Sequence, residues 1–161
     1  MRPSGLRFAL VATVFLTIVS TVFAWPASTR ADDGAMLVVV VHKGNPAKAL
    51  TREDLRPLFQ TNRTEWPDGT HAVPVNLPED HPLRQAFDAA ILGLDPDRVE
   101  RYWIDRKIRG GERPPHKVST PSAALRVVAS DRGGVAYMAA SDVNDTVRVV
   151  ARISKGEVLP P

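Results

Sequence analysis

The run Met36-Leu37-Val38-Val39-Val40-Val41 constrains the fold more than any other part of the chain. Six consecutive apolar residues, four of them β-branched, are too few for a helix of ordinary length and favour extended backbone. The run has no polar alternation, so neither face of such a strand can meet water. This is the pattern of a strand in a parallel-type sheet, with cover above and below it. His42-Lys43-Gly44-Asn45-Pro46 then breaks the strand.

The remaining segments supply that cover. Thr51 is a good N-cap, with Glu53 and Asp54 in the first turn and Leu55, Leu58 and Phe59 on one face. Pro57 keeps this helix short. Thr61 to Thr70, with Trp66-Pro67-Asp68-Gly69, reads as a turn-rich loop, and Ala72-Val73-Pro74-Val75 as a short strand that Pro74 places at an edge or terminus. Asp80 or His81 caps a helix with Pro82 in its first turn and a stop at Gly93. Asp95-Pro96 opens another helix, whose buried side takes Val99, Tyr102, Trp103 and Ile104. Ile108 to Lys117 is a loop, and Ser119 or Thr120 caps a helix with Pro121 first and Ala124, Leu125 and Val128 inward. Asp131-Arg132-Gly133-Gly134 turns the chain into the strand Val135–Met138, and Thr146–Ile153 alternates as a half-wet strand. The order gives an α/β domain, a mixed β-sheet flanked by helices.

Charge and composition narrow the function classes. Three of the 21 basic residues, Arg2, Arg7 and Arg30, precede Asp32, and none of the 18 acidic residues do. From Asp32 onward the two signs balance, so the net charge of +3 is no argument for a nucleic-acid partner. Arg2 and Arg7 followed by an uncharged stretch from Phe8 to Trp25 make residues 1–31 an export signal. An uncleaved anchor is the competing reading, and it would be the chain's one link to a membrane. The expected organisation is this leader, then one lobe over residues 32–161, acting in a periplasm. With no cysteine there is no disulfide, Cys-ligated zinc, iron–sulfur cluster, thiol nucleophile or lipobox anchor. No nucleophile elbow, P-loop or dinucleotide fingerprint occurs, so no catalytic residue and no cofactor is expected. The four histidines lack the spacing of a helical metal pair, and no metal is expected. Arg98–Lys117 carries seven basic against three acidic residues, read as a solvated helix face running into a loop.

Several pieces in order resemble a known family: Leu50-Thr51-xx-Asp54-Leu55-xx-Leu58-Phe59, Trp66-x-Asp68-Gly69, Val73-Pro74-Val75-Asn76, Pro82-Leu83-Arg84-xx-Phe87 and Gly133-Gly134-Val135-Ala136-Tyr137. The series is similar to the phosphate-binding, PstS-like substrate-binding proteins of ABC importers, in the type II periplasmic solute-binding superfamily. It spans roughly residues 36–153 and corresponds mostly to the second lobe of those two-lobed receptors. The resemblance implies phosphate or another small oxyanion as ligand and an ABC permease as partner. In the family, a Ser-Gly-Thr signature after the Val-Pro-Val-like strand holds phosphate at a helix N-terminus, where orphan N–H groups and a partial positive charge converge.

Here that stretch is Asn76-Leu77-Pro78-Glu79-Asp80-His81-Pro82-Leu83-Arg84, without hydroxyls and with two carboxylates. An anion site therefore reads as Asp80, His81 and Arg84 at the helix start, Arg84 being the charge partner, with Ser119, Thr120 and Ser122 supplying hydroxyls. The alternative reading is an envelope interaction or accessory module that kept the fold and lost the ligand. A homodimer forming one composite cleft is a third.

Overall fold

The computed structural model describes residues 36–161; the leader lies outside the described residues. The element order is β1 (Leu37–His42), α1 (Arg52–Phe59), β2 (Val73–Asn76), α2 (Pro82–Phe87), α3 (Pro96–Ile108), β3 (His116–Lys117), α4 (Pro121–Ser130), β4 (Gly134–Ala139), β5 (Val147–Ser154) and β6 (Glu157–Leu159). The strands form one mixed sheet in the order β3-β2-β4-β1-β5-β6.

The valine run is the sheet's buried centre, but it is not parallel to its neighbours. It pairs antiparallel with β4 on one side and β5 on the other. What the run signals is cover on both faces, and pairing direction is independent of that. Leu37, Val39 and Val41 face one core with Leu55, Leu58, Phe59, Phe87 and Ile91 from α1 and the α2 segment. Val38 and Val40 face a second core with Ala124 and Val128 of α4. Parallel pairing occurs elsewhere, where β2 lies between β4 and β3.

Local chemistry explains the elements. Thr51 and Asp54 form a reciprocal capping box at α1, and the helix ends two residues after Pro57. Pro74 is not on an edge strand. It pairs with Val135 of β4, but β3 joins β2 only from Val75, so no ladder is interrupted at Pro74 on that side. After α2 the chain loosens into a π-helical turn, Asp88–Leu92, closed by Gly93 at φ +67°. Arg56 of α1 donates to the carbonyls of Ile91 (3.0 Å) and Leu92 (3.2 Å), satisfying that end.

Two departures from the periodicity stand out. Along β5, Val39 and Val40 of β1 pair with Ala151 and Val149, so Val150 is an extra residue. This bulge flips the strand's phase, and Val150 and Ala151 both enter the larger core. Lys155 (φ +50°) and Gly156 (φ +79°) then make a two-residue hairpin to β6, a strand the alternation did not announce. Ile104, expected inward, is 51% exposed, because the inner side of α3 is taken by Val99 and, partly, Trp103.

Candidate functional site

The carboxyl ends of β2 and β3 point to the same end of the sheet, where open α/β sheets place their ligands. Just past β2 the backbone of Leu77 is held by two side chains. Its N–H donates to Tyr137 Oη (3.2 Å), and its carbonyl accepts from Arg84 Nη1 (3.1 Å). Arg84 Nε donates to Asp88 Oδ2 at 2.5 Å, one helical turn on. Arg84 is only 4% exposed, so this is a buried ion pair. Burial pushes the Asp88 carboxyl above its ordinary value, with Arg84 holding part of that rise back. Burial also raises the Tyr137 phenol well above its usual range. The Tyr137 ring stacks on Phe87, centroids 4.0 Å apart, which fixes the last residue of α2 against the sheet.

The sequence-derived site residues take the following places. His81 is the N-cap of α2, its Nδ1 accepting the Leu83 N–H at 3.2 Å. Arg84 spends its guanidinium on Asp88 and Leu77. Asp80 is exposed in the preceding turn, and the neighbouring Glu79 reaches Lys117 Nζ at 3.3 Å. Thr120 caps α4, accepting the Ala123 N–H at 3.2 Å, with Ser119 and Ser122 exposed beside it. At α2 a histidine nitrogen, with no carboxylate involved, occupies the donor that the resemblance assigns to an anion.

Beside this cluster opens a groove of about 1060 Å³, walled by the end of β2, by α3 and by the loop into β3. Asn76, Trp103, Ile104, Pro115, Lys107 and Lys117 border it, as does Arg84; Asp80, His81, Ser119, Thr120 and Ser122 do not. Asn76 is 5% exposed, and its Oδ1 has no hydrogen-bond partner among the described residues. Lys107, Arg113 and Lys117 come from the basic stretch read above as a solvated face, and here they line the groove with Glu100 and Glu112. The sequence signal for the rest was faint: one polar residue, Asn76, ending an apolar strand. Among the described residues no group of three or more histidine or carboxylate side chains is placed to hold a metal, and no helix is long and apolar enough to cross a membrane.

No family model matches the sequence, and no curated protein matches it. Solved structures do match. An ABC-type phosphate transport receptor from Vibrio cholerae superposes with a TM-score of 0.57 at 18% identity, over 71% of this chain and 45% of that one. A protein from Clostridium perfringens described as a phosphate ABC transporter substrate-binding protein, with bound phosphate, gives 0.58 at 18% identity, over 71% of this chain and 44% of its own. This chain shares their fold. A third match, from Planctomyces limnophilus, has a TM-score of 0.52 at 17% identity and covers 75% of this chain and 42% of that one. The chain thus spans less than half the length of these phosphate-receptor-like structures and corresponds to part of them.

The motifs that carry the resemblance prove to be mostly structural. Trp66 Nε1 donates to the Gly133 carbonyl at 2.9 Å, and Asp68 pairs with Arg132 at 2.9 Å. A Cβ on Gly133 would lie 1.8 Å from the His71 carbonyl oxygen, so glycine is required there. Such residues specify a scaffold and leave its ligand open.

Proposed function

We propose that the protein is an exported, non-enzymatic solute-binding lobe acting in the periplasm, with the groove at the carboxyl ends of β2 and β3 as its ligand site. The observation that carries this is that groove's position in a fold shared with a phosphate transport receptor. Export rests on the leader pattern of residues 1–31. The names of the similar structures point to phosphate or a related oxyanion as ligand and an ABC permease as partner. Titration calorimetry of the purified protein with phosphate, sulfate and small carboxylates tests the binding reading. Heat with a saturable isotherm for any of them supports it, and silence with all of them removes the oxyanion assignment.

A second reading is favoured by the start of α2. The Leu83 N–H is already bonded to His81 and the Arg84 guanidinium to Asp88, so two groups suited to an anion are spent internally. On that reading the chain is an envelope accessory module that kept the scaffold. Recovery of one stable envelope partner by cross-linking, together with silent titrations, supports it.

A further inference from the structure

We infer that the groove takes a zwitterionic organic solute with an apolar side chain, of the class of a short peptide, in place of a bare oxyanion. The inference rests on the groove being a solute site and departs from the oxyanion assignment. Three features converge. The first is size and lining: the groove's volume of about 1060 Å³ is at the top of the range for organic ligands, roughly 300–1,000 Å³, and far beyond what an inorganic anion fills. Trp103, Ile104 and Pro115 border it, and Ile104 is 51% exposed to it and to water. Apolar surface of that kind gains nothing from phosphate and gains from a hydrocarbon side chain.

The second is charge. Lys107 and Arg113 on the groove make no ion pair among the described residues, and neither do Asp97, Glu100 and Glu112. A dianion would be attracted by the first pair and repelled by the second set. A molecule with a carboxylate and an ammonium satisfies both.

The third is Asn76. The residue borders the groove, its buried Oδ1 lacks a partner, and a buried acceptor left unpaired is costly. A peptide brings N–H donors, whereas a phosphate dianion brings acceptors and at most one donor.

The test uses the dipeptide Leu-Phe, the tripeptide Ala-Ala-Phe, acetyl-Leu-Phe-amide and inorganic phosphate, titrated into the purified protein by calorimetry. The same additions are followed by side-chain amide and indole NMR signals of Asn76 and Trp103. At least one free peptide is expected to bind about tenfold or more tighter than both the end-blocked form and phosphate, a difference of about 1.4 kcal/mol. It should also shift both signals. Lys107→Ala and Glu100→Ala, both exposed substitutions, should each weaken that binding roughly three- to tenfold while the circular dichroism spectrum stays unchanged. Equal binding of the free and blocked peptides would overturn the inference, as would silence with both free peptides. Saturable binding of phosphate alone would also overturn it while leaving the broader solute-binding reading intact. Peptide binding with phosphate silent supports it and retires only the oxyanion assignment.

Discussion

Arg84 and Asp88 carry opposite charges into a place almost without water, and each is tolerable there only because of the other. Removing one partner strands a buried charge, so Arg84→Met or Asp88→Leu should each cost about 3–5 kcal/mol. Replacing both, as Arg84→Met with Asp88→Leu, should recover most of that loss, because a packed apolar pair needs no desolvated charge. Urea unfolding of the four proteins closes this cycle, and additive losses would show that the two residues act independently. Burial raises the Asp88 carboxyl, so the folded state binds that proton more tightly than the unfolded chain does. Its share of stability is therefore greatest when protonated and declines as pH rises through the raised value. Tyr137→Phe leaves the Leu77 N–H without its acceptor and should cost about 1–3 kcal/mol, read from the same unfolding curves.

Among the elements, the starts of α1 and α3 were the most legible, Thr51 capping the first and Asp95 the second as their sequences indicate. At α1 the sequence puts Thr51 at the N-cap and Asp54 in the first turn, and the structure adds the reciprocal bond that makes them a capping box. Hydrogen bonds from Thr51 hold the Asp54 carboxyl below its ordinary value. That sign is the reverse of Asp88. The contribution is complete above the ordinary carboxylate range and vanishes as pH falls through the depressed value. Asp54→Asn should therefore be less stable than the parent near neutral pH, by about 0.3–1 kcal/mol, with the gap closing in strong acid. Thermal melts at the two pH values check it. Less of β5 was legible, since one inserted residue, Val150, breaks the two-residue period that identifies a strand. The strand β6 escaped for a different reason: three residues held by a Lys155-Gly156 turn carry too little pattern to stand out from a loop.

At the scale of the molecule, caps and apolar faces gave the α/β class and the helix order, because those signals are local. Which strands lie side by side is not local, and the valine run misled about direction for that reason. The groove was illegible for the same reason. Asn76 of β2, Trp103 and Lys107 of α3 and Lys117 of β3 meet only after the sheet has formed. At Gly133, where a Cβ would run into the His71 carbonyl oxygen, the sequence showed a glycine pair and the fold shows why. Gly133→Ala should abolish soluble folded protein, whereas Gly110→Ala, with open space around its Cβ, should cost about 1 kcal/mol through its positive φ alone. Expression followed by dispersion of amide proton signals distinguishes the two.

The placing of β1 between β4 and β5 carries a kinetic consequence. The first strand of the described fold, Leu37–His42, finds its partners only in Gly134–Ala139 and Val147–Ser154, so those later segments must be made before the sheet's middle can zip together. Until then the valines are sticky and unclaimed, a state that slows folding and leaves the sheet's middle open to wrong partners.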